Sequence, residues 1–203
     1  MKISVFQQTM QPVRLLGAAL AVGALLGPVR ILAAGEDASL IANGGFEQSA
    51  NQTVPDGWGR LPAGATWELE EGNHFLRLKT QEAGKTVMLY RALPLKPEVK
   101  ALELSYRVRY TDVKPGKEVW YDGRIMMDFV DAAGKPVKPS PKAPNFRGSS
   151  TGWVERKQQI TVPEGAATLK FMPSLFQAES GTLDFDDIKL VPVAPAAPAA
   201  PAP

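Results

Sequence analysis

Residues 181–190 read GTLDFDDIKL. Leu183, Phe185, Ile188 and Leu190 are apolar, and Asp186-Asp187 stands among them. Side chains of a β-strand alternate between two faces, so the run predicts a half-buried strand and aims one of the two carboxylates inward. A lone buried carboxylate is costly and demands a cation, an arginine or several backbone N–H groups. The partner is expected near the start of the folded part, in Asn43-Gly44-Gly45-Phe46-Glu47, where the glycines predict a turn with positive φ. The first and last strands are therefore expected to meet. Glu47, Asp186 and Asp187 are the expected ligands of one hard cation there, Ca²⁺, completed by backbone carbonyls.

The rest of the chain has the same short rhythm. Alternating runs fall at 66–70, 74–80, 101–110, 119–130 and 153–162, with further runs at 85–93 and 167–171. In 74–80, Phe75, Arg77 and Lys79 oppose Leu76 and Leu78. In 101–110, Leu102, Leu104, Tyr106 and Val108 oppose Glu103, Ser105, Arg107 and Arg109. In 119–130, Ile125, Met127 and Phe129 oppose Trp120, Asp122, Arg124, Met126 and Asp128. No stretch keeps a 3.6-residue period. About nine short strands with Gly and Pro at their turns predict an all-β sandwich of the jelly-roll kind.

Three of these stretches, LIANGGFEQ at 40–48, PDGW at 55–58 and the closing GTLDFDDIKL, occur in an order and spacing similar to the family 4/9 carbohydrate-binding modules. The resemblance spans about residues 39–191. It implies a galactose-binding-domain-like jelly roll, sugar binding without catalysis, and a structural calcium. It also agrees with Trp58 as a core plug behind its Pro-Asp-Gly turn.

The ends differ from the middle. Residues 1–34 carry Lys2 and Arg14 before an apolar run at 15–29 and Ala33-Ala34 as a cleavage site, the outline of a secretory signal. Arg30 is unusual so close to a cleavage site, so an uncleaved anchor is the alternative. The run is too short for a confident membrane span. Without that segment, which holds three cations and no acid, the formal charge falls from +2 to −1, and nucleic acid is not an expected partner. Residues 192–203, the Pro/Ala-rich tail, are a polyproline-type spacer, of a kind that joins a binding module to a partner enzyme or surface assembly. A secreted or periplasmic monomer with one domain over 35–191 is expected.

Catalysis has little to draw on. The chain has no Cys and one His, His74. Gly148-Ser149-Ser150-Thr151-Gly152 matches G-x-S-x-G in letters, but a Pro-rich stretch precedes it and a strand follows, where a nucleophile elbow needs a strand and then a helix. Alternate carboxylates such as Glu68 and Glu70 read as a solvated strand face. Binding fits better. Sugars need aromatic faces for the apolar side of the ring and planar polar groups for the hydroxyls. Trp120, Tyr121, Asp122 and Arg124 supply both within five residues. Arg107 joins them if its strand is a neighbour, and Tyr90 and Phe176 are further candidates. The competing reading is an edge-strand Trp beside an ordinary surface Asp–Arg pair. Trp153 is assigned to the core. The long segment 132–151, with Lys135, Lys138, Lys142 and Arg147, is expected to border the ligand groove. The expected function is polysaccharide or glycan binding on one sheet face. The alternatives are an adhesion or protein-interaction module, or a small polysaccharide-cleaving enzyme.

Overall fold

A computed structural model of the chain describes residues 39–80 and 82–194. The signal expected over 1–34 and most of the tail expected over 192–203 lie outside the described residues. Eleven strands and no helix are present among the described residues. They form two antiparallel sheets, a β-sandwich of the jelly-roll type.

The first sheet is built from β1 (Ala65–Glu70), β2 (Asn73–Thr80), β5 (Ala101–Lys114), β9 (Val154–Thr161) and β11 (Ser180–Val193). Their order is β1-β2-β11-β5-β9. The second sheet centres on β10 (Thr168–Leu175) and β6 (Gly123–Val130). Short strands β3 (Val87–Met88) and β4 (Arg91–Pro94) pair along the free edge of β10, and β7 (Pro136–Val137) and β8 (Asn145–Phe146) along that of β6. The alternation read from the sequence sets which side is buried. Leu76 and Leu78, Leu102 to Val108 at every second position, and Ile125, Met127 and Phe129 meet Leu169, Phe171, Phe185 and Leu190 in one core between the sheets.

Several expectations change. Leu40–Gly45 is a run of bends and turns rather than a strand, yet it does run against β11. Leu40 N donates to Leu190 O at 2.8 Å, and Ile188 N to Gly44 O at 2.9 Å. Positive φ falls on Asn43 and Phe46, not on the two glycines. Gly44 is needed for close approach instead, since a Cβ there would lie 1.8 Å from Ile188 O. Run 85–93 splits into β3 and β4, and run 119–130 becomes a strand only at Gly123. β11 continues through Pro192 and Val193, paired with Leu102 and Ala101, two residues into the expected tail.

Neither member of Asp186-Asp187 enters the hydrophobic core. The register between β11 and β5 shifts between Asp186 and Lys189, and Asp187 adopts φ 49°. This bulge adds a residue at the acidic pair, so Phe185 and Ile188 both face inward while the carboxylates stay on the outer side. Segment 132–151 folds back onto the second sheet. Asp131 Oδ1 accepts from Ala133 N and Lys135 N, β7 and β8 fold back onto β6, and Phe146 enters the core against Tyr106 and Phe185. Gly148 then bridges to Val113 on β5.

Candidate functional site

The outer face of the five-stranded sheet is unusual because its middle is buried. Strand register sets Thr66, Arg77, Asp184 and Arg109 in one row across β1, β2, β11 and β5. In the adjacent row Asp186 lies opposite Arg107 and Arg107 opposite Glu155, with Phe75 opposite Glu68. Asp184 is 2% exposed and receives two guanidiniums. Arg77 Nε donates to its Oδ1 at 2.7 Å and Nη2 to Oδ2 at 2.9 Å. Arg109 reaches Oδ2 through Nε and Nη2, both at 2.9 Å, and Glu70 through Nη1 at 2.8 Å. The paired carboxylate raises the already high pKa of Arg77 further.

Asp186, 1% exposed, accepts from Asn73 Nδ2 at 3.1 Å, Arg107 Nη1 at 3.3 Å and Asp187 N at 2.7 Å. Burial raises its pKa, and the hydrogen bonds only partly oppose that. Arg107 also lies 3.5 Å from Asp187 Oδ2.

Trp153 covers this layer. It is not in the core, contrary to the sequence reading. Its ring lies 5.0 Å from the Arg107 guanidinium carbon and 4.7 Å from that of Arg109, and it meets Phe75 edge-on at a centroid distance of 5.4 Å. Arg77 and Arg109 each stand 5.2 Å from the Phe75 ring. Thus Phe75, on the charged side of its strand, is 2% exposed. Trp153 itself stays partly exposed. The result is an indole held on guanidiniums that are themselves held by buried carboxylates. Two depressions on this sheet share its arginines, though Trp153 lines neither: one of about 350 Å³ bounded by Ser105, Arg107, Glu155, Asp187 and Lys189, another of about 430 Å³ bounded by Thr66, Glu68, Arg77 and Lys79. Such volumes fall in the lower part of the range for small-ligand sites.

The structure divides the residues singled out in the sequence. Arg107 belongs to the face just described. Trp120, Tyr121, Asp122 and Arg124 do not join it, because β5 and β6 lie in opposite sheets. Trp120 and Tyr121 sit in the turn before β6, and Tyr121 packs edge-on against Trp120 and Phe176, at 6.1 and 5.4 Å. These three rings form a cluster at one end of the sandwich, with Trp120 52% exposed. Asp122 is fully buried beneath it, bound by Arg124 Nε and Arg147 Nε, each at 2.7 Å. That pairing explains an acid at the phase of a solvent-facing position: its partner Arg147 comes from the segment after β8. Tyr90 is half-exposed, between β3 and β4, apart from both groups.

The donors expected for calcium already have other partners. Glu47 Oε1 accepts from His74 N at 2.8 Å, while Asp186 and Asp187 are already met by Arg107, and Gly44 O accepts from Ile188 N. No group of three or more His, Cys, Asp or Glu able to hold a metal occurs among the described residues. His74 stacks on Trp67 at 4.1 Å, and Ser150 Oγ bonds Tyr110 N and Gly152 O, so each has a structural partner.

Phe75 was visible in advance: it shares strand parity with Arg77 and Lys79. Trp153 carried no such sign, because its position depends on a contact with Phe75 of β2, and two strands, β11 and β5, lie between β2 and β9.

The chain matches no protein-family model and no curated protein sequence. Among solved structures it resembles the enzymatically active domain of tailspike protein 4 of bacteriophage CBA120, with 14% identity and a TM-score of 0.57 over 78% of this chain. It also resembles TmCBM61 in complex with β-1,4-galactotriose, with 12% identity and a TM-score of 0.50, over 76% of this chain and 99% of that one. A third is the arabinose-bound MgGH51 α-L-arabinofuranosidase, with 13% identity and a TM-score of 0.50 over 76% of this chain. The chain spans 22% of the tailspike and 26% of the arabinofuranosidase. These likenesses are of fold alone: a β-sandwich of the jelly-roll type.

Proposed function

We propose that the chain is a secreted, non-catalytic carbohydrate-binding module, of the family 4/9 kind, that takes a polysaccharide or glycan on the outer face of its five-stranded sheet. One observation carries the reading: the Trp153 indole lies across Arg107 and Arg109, on a foundation of Asp184 and Asp186. A sugar ring stacks on such an indole, and planar carboxylate and guanidinium edges in the depressions of the same sheet bind hydroxyls. The foundation removes most of the ordering cost that flexible arginines impose on binding.

The test is affinity electrophoresis of the protein against a panel of soluble polysaccharides, with a reducing-sugar assay on the same panel. Retardation without release of reducing ends supports the reading. Trp153→Ala is expected to weaken binding roughly 5- to 150-fold, the range for losing a stacking anchor. A variant that stays folded and is retarded like wild type refutes this site.

A second placement uses the ring cluster first singled out in the sequence, because Val119 and Trp120 are both more than half exposed at one end of the sandwich. Trp120→Ala separates the two: it abolishes retardation only if sugar stacks there. An adhesion or protein-interaction role predicts no retardation by any polysaccharide.

A further inference from the structure

Five arginines, Arg77, Arg107, Arg109, Arg124 and Arg147, hold carboxylates. Arg60 and Arg156 are surface residues. Arg91 fits neither group. It lies in β4 on the same side as buried Leu93, so the strand aims it inward. Its guanidinium carbon stands 5.0 Å from the centroid of Trp58, a buried ring fixed by its Nε1 donating to Asn43 O at 2.9 Å. Arg91 Nη1 is buried and lacks any hydrogen-bond partner, the only such side-chain atom among the described residues. No described carboxylate pairs with it, and burial lowers its pKa.

A guanidinium presents five N–H donors in a rigid planar fork. Stacking on Trp58 engages the face of that plane and leaves the donor edge unused. A partly buried cation without a counter-charge is costly, and a planar oxyanion relieves both the charge and the unmet donors. Gly57 lies beside the guanidinium. A Cβ there would stand 3.6 Å from Nη1 and 3.9 Å from Nη2, and its φ of 80° disfavours any side chain.

We propose that Arg91, stacked on Trp58, is an oxyanion site that takes a carboxylate edge-on at its guanidinium fork. The carboxylate belongs to a free organic acid or to a uronic sugar. None of these residues belongs to the Trp153 face, so the site stands independently of glycan binding there.

The experiment follows arginine Nε–Hε and tryptophan Nε1–H resonances of the full ¹⁵N-labelled chain. Sodium acetate, sodium glucuronate and sodium sulfate are titrated separately at constant ionic strength. Saturable movement of the Arg91 and Trp58 signals with acetate, glucuronate or both is expected, while those of Arg77 and Arg109 stay fixed. A response to both acids identifies a general carboxylate site; a response to glucuronate alone identifies the sugar acid. Arg91→Lys keeps the charge but loses the fork, and its affinity should fall about tenfold. Through-space contact with the Trp58 ring identifies the Arg91 signal in the unmodified chain, so the test does not depend on that variant folding. Absence of saturable movement, a response to sulfate alone, or unchanged affinity in a folded Arg91→Lys overturns the proposal.

Discussion

Replacing Asp184 by alanine tests the foundation of the outer face. The carboxylate accepts four contacts of 2.7–2.9 Å from two arginines, and its own side chain is 3% exposed. Breaking a buried ion pair from one side costs about 3–5 kcal/mol, because the charge left behind has lost its partner. Here the charges left behind are Arg77 and Arg109, with side chains 31% and 22% exposed, so water recovers part of that cost. We therefore expect a loss of about 3 kcal/mol. For a domain of this size each kcal/mol moves the midpoint by about 2–4 °C, so Tm should fall by about 6–12 °C. Asp184→Asn should behave similarly, because its amide turns a donor toward guanidinium donors. Differential scanning calorimetry measures both. The same shift in 1 M salt is expected, since buried pairs are screened far less than surface ones. A shift under about 2 °C, within the range of ordinary surface pairs, refutes the reasoning.

Three further outcomes follow from the described contacts. Gly44→Ala should cost 3 kcal/mol or more, because its Cβ meets Ile188 O at 1.8 Å and both atoms belong to backbone; a urea melt of native midpoint would disprove that contact. Burial raises the pKa of Asp186 above 3.8, so between that value and the raised one the folded state holds a proton that the unfolded state has released. Stability from this group should therefore fall as pH rises through that window and level off above it. The difference in Tm between wild type and Asp186→Asn, followed against pH, should show that slope, and a flat difference refutes it. Melting curves in EDTA and in excess Ca²⁺ should coincide, since Arg107 already neutralises Asp186; a bound ion at a hundredfold excess over its Kd would add about 2.7 kcal/mol and separate them.

Strand parity was the legible part of the fold. It assigned Leu102 to Val108 and Arg107 to Arg109 to opposite faces, and it set Phe75 beside Arg77 and Lys79. Parity fails wherever a residue is added or the chain leaves the strand. The bulge at Asp186-Asp187 re-phased β11, so no carboxylate had to enter the core. Val119 to Asp122 kept the alternation of β6 in letters but lie in a turn, which moved Trp120 away from Arg124 and buried Asp122. Its partner Arg147 and the neighbour Phe75 of Trp153 come from distant parts of the chain. No local pattern records such pairings. The pairing of segment 132–151 is unrecorded for the same reason: its short strands exist because β6 offers an unpaired edge, not because Pro136 or Asn145 favour extended structure by themselves.

β11 occupies the middle of its sheet, between β2 and β5, although it is the last of the eleven strands along the chain. Until it arrives, the β1–β2 hairpin and the β5–β9 pair have nothing to join them, and each exposes an unpaired inner edge. Folding of this sheet is thus deferred until nearly all of the domain has been synthesised. Asp184 and Asp186 arrive with that strand, so Arg77, Arg107 and Arg109 lack those two carboxylates until the same moment. The charged outer face and the sheet are completed in a single late event, and a chain cut short before residue 184 has neither.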